Sequence, residues 1–271
     1  MRDPALSSVY VSYFTETHGM VRDTMRRFVN EAVKPHIDEW EEAGSFPREL
    51  YAQAGGLGLL SIGHPTEFGG TGEQDVFVKV AASEELMRSG SGGFVASLGS
   101  LDIGLPPVWR VGSEALKQRI VPQVLAGEKI IALAITEPSG GSDVANLKTR
   151  AVRDGDHYVV NGSKTFITSG VRADYYTVAV RTGEAGFGGV SLLLIEKGTP
   201  GFTVGRNLKK MGWWASDTAE LFFDDCKVPV ENLVGVENMG FAGIMANFQS
   251  ERLAIMANMT SQLALEESMK W

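Results

Sequence analysis

An α+β chain of three consecutive regions is predicted by three features of the sequence. Apolar residues keep helical spacing over 1–128, give way to short alternating or β-branched runs over 129–236, and resume the helical period over 237–271. With 271 residues and 44% hydrophobic side chains, the chain has enough apolar material for more than one core.

In the first region, Val21, Met25, Phe28, Val29, Ala32 and Val33 form one helical face, which Pro35 interrupts. Pro47 stands where a first helical turn tolerates it, and "AGGLG" at 54–58 supplies a glycine stop. Another helix is predicted from Asp75 to Met87, and Ser113 caps one that ends near "AGE" at 126–128. The segments "EFGGTGEQ" at 67–74 and "RSGSGG" at 88–93 read as punctuation, and neither has the spacing of a phosphate loop.

The second region holds "YVVN" at 158–161, "KTFIT" at 164–168, "YYTVAVR" at 175–181 and "VSLLLIEK" at 190–197, all strand-sized. Asp-Gly in "DGD" at 154–156 and Asn-Gly in "NGS" at 161–163 both predict hairpin turns. An antiparallel sheet or barrel follows. In the third region Phe241, Met245, Phe248, Met256, Met259 and Leu263 share one stripe. No capping signal follows in "LALEESMKW", so Trp271 is expected inside a helix whose partners lie outside this sequence, because one amphipathic helix cannot bury its own stripe.

Twenty-five Lys and Arg against thirty-three Asp and Glu give a net charge of −8 without a basic block, which argues against a nucleic-acid partner. No run reaches the length of a membrane span, and "MRDPALSS" has neither signal nor transit character. The lone Cys226 points to a reducing, cytoplasmic setting. His18, His36, His64 and His157 have no metal-ligand spacing with one another or with Cys226, so no metal site is expected. There is no nucleophile elbow. The "WW" at 213–214 is expected in core or subunit packing.

Three stretches carry candidate chemistry. In "TEPSGGSD" at 136–143, glycines permit close backbone approach to a planar or phosphate-bearing ligand, and Thr136 and Ser142 add hydroxyls; a plain strand-ending turn uses the same residues. "KTFITSG" at 164–170 would return antiparallel and bring Thr168 to the rim near Thr136. In "NFQSERLAIM" at 247–256, Arg252 falls near the middle of the apolar stripe and Glu251 at its edge. A charge placed there snorkels to water, or it meets a ligand as a desolvated carboxylate does beside a dry cavity.

Taken in order, "ALAITEPSGGSDVANLKTRAVRDGDHYVVNGSKTFITSG" from Ala132 to Gly170 strongly resembles the flavin-binding middle segment of the acyl-CoA dehydrogenases. "GLGLLSIGHPTEFGGTG" from Gly56 resembles that family's N-terminal helical region, and "KKMGWWASDTAELFFDDCKVPVENLVGVENMGF" the end of its β domain. The resemblance implies a helical N-terminal domain at 1–128, an antiparallel β-barrel middle domain at 129–236, and at 237–271 the first helix of a C-terminal four-helix bundle otherwise missing from this sequence. It further implies FAD, an acyl-CoA substrate, an electron-transfer flavoprotein as acceptor, and a homotetramer or homodimer at full length.

Position by position, the resemblance puts Leu133, Ile135 and Thr136 beside the flavin, with Gly141 and Ser142 between the flavin and the thioester arm. It sets Phe166 beside the ring, where many relatives have tryptophan, and Thr168 at the ring's reactive edge. Glu251 becomes the base that takes the α proton, with Arg252 buttressing the pocket and Phe248 along the acyl path. The family also knows a second placement of the base, later in the bundle. An oxidase, a flavin monooxygenase on the same scaffold, or a non-catalytic flavin or thioester binder would share these motifs.

Overall fold

A computed structural model describes residues 13–73, 75–257, 264 and 267–271. Helices come first. α1 (Glu16–Phe28) runs through a π turn at Val29–Val33 and a 3-10 turn holding Pro35 into α2 (Ile37–Ala43). Pro35 cannot donate to the ladder, so the axis is rebuilt there instead of continuing. Of the predicted face, Met25, Phe28, Val29 and Val33 are buried. α3 (Glu49–Gly56) and α4 (Val76–Met87) follow, the latter capped by Asp75, whose carboxylate accepts from the Phe77 N–H at 2.9 Å. The buried Glu85 of α4 accepts from Arg26 of α1 at 2.6 and 3.0 Å, which fixes those two helices side by side.

The segment read as punctuation at 88–93 contains a helix start. α5 (Gly92–Leu98) begins inside it, with Ser91 Oγ accepting from the Phe94 N–H at 2.9 Å. Its two leading glycines are there for clearance, since a Cβ on Gly92 would lie 2.3 Å from the Trp213 indole nitrogen. Two short helices, α6 (Leu101–Gly104) and α7 (Pro106–Val111), lead to α8 (Glu114–Leu125), which Ser113 caps as predicted.

The strands are β1 (Ile131–Ala134), β2 (Arg150–Asp154), β3 (His157–Thr168), β4 (Tyr175–Arg181), β5 (Val190–Glu196), β6 (Phe202–Asn207), β7 (Thr218–Pro229) and β8 (Leu233–Val234). Their order is β6-β7-β3-β2-β4-β5-β8, with β1 pairing β4. The expected barrel is not what forms: the sheet is open among the described residues, and its end strands β6 and β8 do not pair. It is also mixed. β1 runs parallel to β4 over Ile131–Ala134, and β2 meets β4 in parallel only at Arg150 and Arg181, so two sheet portions join at one bridge. A parallel partner needs a long crossover, which leaves no turn signature in the sequence.

The β2–β3 hairpin turns at Gly155–Asp156 as predicted, with Gly155 at φ 61°. The Asn-Gly at 161–162 does not turn. β3 runs straight through it, and Asn161 instead brackets a bulge in β7, exchanging hydrogen bonds with Asp225 of 3.0 and 2.9 Å. Gly162, at φ 144°, is needed because a Cβ would lie 2.7 Å from Thr149 Cα. Gly162→Ala is therefore expected to cost about 1–3 kcal/mol, read from the urea midpoint at unchanged m-value; a loss below about 0.5 kcal/mol would show that the strand relaxes freely.

Buried polar bonds join helices to sheet. Thr177 Oγ1 donates to the Gly104 carbonyl at 2.8 Å, and Ser97 Oγ lies 3.2 Å from Ser169 Oγ. Tyr51 OH donates to the Ser97 carbonyl at 2.9 Å. Beyond β8 the chain passes Asn238, at φ 67°, into α9 (Gly240–Ala257). Gly240 packs so closely on β5 that a Cβ would meet Ser191 at 2.7 Å, and Asn247 Nδ2 donates to the Ile103 carbonyl of α6 at 2.9 Å. Phe241, Met245 and Phe248 pack partly buried against the core, whereas Met259 and Leu263 of the predicted stripe lie outside the described residues. Trp271 is not helical: residues 267–268 are, and a turn at 269–270 precedes it, because the last N–H groups reach back only three residues, Lys270 to Glu267 and Trp271 to Ser268.

Candidate functional site

The ends of β1 and β3 meet at one place. The Thr165 N–H donates to the Thr136 carbonyl at 2.9 Å, and the fully buried Lys164 ammonium donates to the Ile135 carbonyl at 3.1 Å and to Glu137 Oε1 at 2.8 Å. Glu137 is 4% exposed, and its oxygens also accept from the Lys148 and Thr149 N–H groups at 2.6 and 2.8 Å. Burial pushes Lys164 down to about 8, although Glu137 opposes the shift. Burial alone would raise Glu137, but Lys164 and the hydrogen bonds outweigh it and hold the carboxyl below its usual value. An alternating strand predicts neither partner inside. A β-bulge between Lys164 and Ile167 explains it: Lys164 and Thr165 both point inward, and Phe166 is expelled.

Phe166 is 68% exposed and sits at φ 58°, a left-handed conformation uncommon for a bulky residue. Ser169, at φ 59°, completes the bend after Thr168, and Asp217 holds it by accepting from the Val171 N–H and from Arg172 Nε, both at 2.6 Å. Between the strand ends, Glu137 and Gly140 exchange backbone bonds of 3.1 and 3.0 Å, so residues 138–143 form an exposed tight loop. Gly141 presses on Thr136, whose methyl would lie 3.1 Å from an added Cβ. Leu133 and Thr136 are half-buried, Ile135 is buried, and Gly141 and Ser142 face solvent. The structure thus gathers the residues of 133–142 and 164–168 at neighbouring strand ends.

Thr168 lines a cavity of about 1180 Å³ that runs into the helical region between α4, α5 and α6. Leu59, Leu86, Val95 and Leu98 make much of its wall apolar. α9 packs beside α4, α6 and α7, and Glu251 lies within it. Phe248 is half-buried, but Arg252 is exposed, which corrects its placement in the middle of the stripe. Among the described positions of this helix Gly240, Ile244 and Asn247 are buried, and Arg252 stands off that line. Trp213 and Trp214 are 61% and 49% exposed, so the pair is not core. Among the described residues no group of three or more His, Cys, Asp or Glu could hold a metal. No described helix is long and apolar enough to cross a membrane.

Two family models match: "Acyl-CoA dehydrogenase, N-terminal domain" over residues 15–128 and "Acyl-CoA dehydrogenase, middle domain" over 132–226. The chain belongs to the acyl-CoA dehydrogenase family. It is 41% identical over 260 residues to the long-chain specific acyl-CoA dehydrogenase of Sus scrofa, covering 94% of this chain and 60% of that protein. The crystal structure of an acyl-CoA dehydrogenase from Geobacillus kaustophilus superposes with a TM-score of 0.86 at 43% identity, covering 91% of this chain and 65% of that one. A glutaryl-CoA dehydrogenase from Mycobacterium smegmatis, in complex with FADH2, gives 0.83 at 29% identity, covering 91% and 62%. The chain therefore spans about three fifths of the length of the curated acyl-CoA dehydrogenases it matches.

Within this family member, the sequence gives only a weak sign of Arg181. At the end of β4 its guanidinium donates to the carbonyls of Ala145, Leu147, Glu184 and Gly186 at 2.6–3.2 Å, tying down the segment that follows the exposed loop. An arginine closing an otherwise apolar run, "YYTVAVR", was the only available signal.

Proposed function

We propose that the chain is the greater part of an FAD-dependent acyl-CoA dehydrogenase, which removes one hydrogen from each of the α and β carbons of an acyl-CoA to give the 2-enoyl-CoA. The observation that carries the reading is the junction itself: Thr168 stands at a strand end and also on the wall of a largely apolar cavity whose volume of about 1180 Å³ has room for an acyl chain. Residues fit for a flavin surround that strand end. The Gly141 and Ser142 N–H groups make no bond within the described chain, and Phe166, held in a left-handed backbone conformation, exposes a ring face to a planar partner. Leu133, Ile135 and Thr136 border the same place. Bound there, FAD would supply the acceptor for the hydride that leaves the β carbon.

The chain's own residues do the rest. Ser142 and the exposed loop orient the thioester, whose carbonyl acidifies the α C–H. Glu251 takes the α proton onto a carboxylate oxygen. Glu251 lies on α9 within the Glu-Arg-Leu order on which the resemblance rests this role. Phe248 borders the acyl path, and the exposed Arg252 has its part in pocket closure only where the remaining bundle packs over it. The domains are 1–128, 129–236 and 237–271, the last opening a helical bundle. An electron-transfer flavoprotein would take the electrons from a homotetramer or homodimer, in a cytoplasmic setting that suits the single buried Cys226.

Anaerobic mixing of the full-length, flavin-loaded protein with a panel of acyl-CoA thioesters tests this reading. At least one thioester is expected to bleach the flavin band within seconds. If none does, the dehydrogenase reading is lost; if bleached protein reoxidises in air faster than with an electron-transfer flavoprotein, an oxidase replaces it.

A further inference from the structure

One carboxylate holds both ends of the loop that carries Gly141 and Ser142. Glu137 opens this loop, and its oxygens accept from the Lys148 and Thr149 N–H groups that close it, at 2.6 and 2.8 Å. The Lys164 ammonium lies 2.8 Å from Glu137 Oε1 and 3.1 Å from the Ile135 carbonyl, so it ties that closure to the chain just before Thr136. The Thr136 carbonyl is held in turn by the N–H of Thr165, the residue after Lys164. Thr149 Oγ1 adds a bond of 3.2 Å to the Ser163 carbonyl, on the other side of Lys164.

Support within the loop is uneven. Val144 is buried, and Arg181 donates to the Ala145 and Leu147 carbonyls, which fixes the second half. At the start, Glu137 and Gly140 bond each other. Between Gly140 and Val144 the chain is exposed, and the Gly141 and Ser142 N–H groups stay unbonded within the described chain. Their placement therefore depends on how the loop is closed at its base. Gly141 also presses on Thr136, whose methyl would lie 3.1 Å from an added Cβ, so the loop and Thr136 move as one.

A buried ion pair is a weak source of stability compared with an apolar pair of similar volume. What an apolar pair cannot do is accept from two N–H groups and a cation at once, as this carboxylate does. Lys164 has no exposed surface and Glu137 almost none, so both act only through the groups they hold.

Resting on the flavin placement proposed above, we infer that Glu137 and Lys164 are positioning residues for FAD: the carboxylate closes the loop, the ammonium joins the closure to the backbone beside Thr136, and together they aim Thr136 and the free Gly141 and Ser142 N–H groups at the flavin. Removing either partner frees the loop base and the Ile135 carbonyl from their common anchor. The flavin then loses donors that were held ready for it, and binding falls even where the fold persists.

The test measures FAD release from the full-length, flavin-loaded protein, by ultrafiltration across a dilution series, beside urea unfolding of the same samples. Glu137→Gln and Lys164→Met are each expected to raise the FAD dissociation constant about 10–100-fold. Glu85→Gln is the control. It removes a comparably buried carboxylate from the α1–α4 contact, and should lose stability while keeping the flavin affinity of the wild type. The double variant Glu137→Gln/Lys164→Met leaves no unpaired charge and should be more stable than either single. Its one carbonyl oxygen cannot serve both N–H groups as the carboxylate does, so its flavin affinity should stay low. Flavin affinity that follows stability across all four variants would overturn the inference, and so would wild-type affinity in every variant of the pair. A wild type that takes up no FAD removes the dehydrogenase reading itself, and this inference with it.

Discussion

Glu251→Gln in the full-length, flavin-loaded enzyme is expected to slow anaerobic bleaching by the best thioester about 10²–10⁴-fold while leaving thioester binding within a few-fold. Glutamine preserves shape and hydrogen bonding but cannot accept the α proton, so the loss falls on kcat and not on KM. Because the variant is isosteric, its flavin content and melting temperature should match the wild type. A variant that bleaches as fast as the wild type would place the base outside this chain, in the later position that the family also uses. The two outcomes separate cleanly in single-turnover traces, where product release does not contribute.

The second large effect concerns stability. Glu137→Gln removes the counter-charge of a lysine with no exposed surface, and breaking such a pair from one side costs about 3–5 kcal/mol. The pH profile gives a sharper signature than the magnitude. The Glu137 pKa is lowered on folding, so its stabilisation is present above the unfolded value, 4.5, and is lost as pH falls through the folded one. The Lys164 pKa is lowered to about 8, so between there and 10.5 the unfolded chain holds more protons at that site and stability rises with pH. In that range the folded lysine is neutral and the missing carboxylate matters less. The difference between wild type and Glu137→Gln should therefore be greatest between about pH 5 and 8 and shrink on both sides. Urea unfolding from pH 3 to 10 measures it; a difference independent of pH would mean that the loss is one of packing, not charge.

Local signals were legible in the sequence. Asp75 and Ser113 announced their helices because a cap is a contact between near neighbours, and Asp-Gly at 154–155 announced its hairpin for the same reason. The same logic failed at Asn161-Gly162, where the dipeptide answers a bulge at Asp225, more than sixty residues away. α5 was missed because its leading glycines, breakers in local terms, are demanded by the approach of Trp213 from a distant loop. The parallel β1–β4 pairing and the inward Lys164 are likewise set by remote strands. Of the candidate site, the residues at 133–142 and 164–168 came from a resemblance over ordered motifs, while the cavity wall assembles from separate helical segments and had no sequence pattern to betray it.

The Ser97–Ser169 bond has a mechanical consequence. Ser169 follows the strand end at Thr168, and Ser97 belongs to a helix whose Val95 and Leu98 form the wall of the cavity, so floor and wall are fastened at a point from which solvent is excluded. Tyr51 locks the same serine from a third element. Slow amide exchange should accordingly reach the backbone of 94–98 and 167–170 together, in one cooperative opening and not two. A fluctuation that widens the room for a chain must then also tilt the strand end at which its oxidation is proposed to occur.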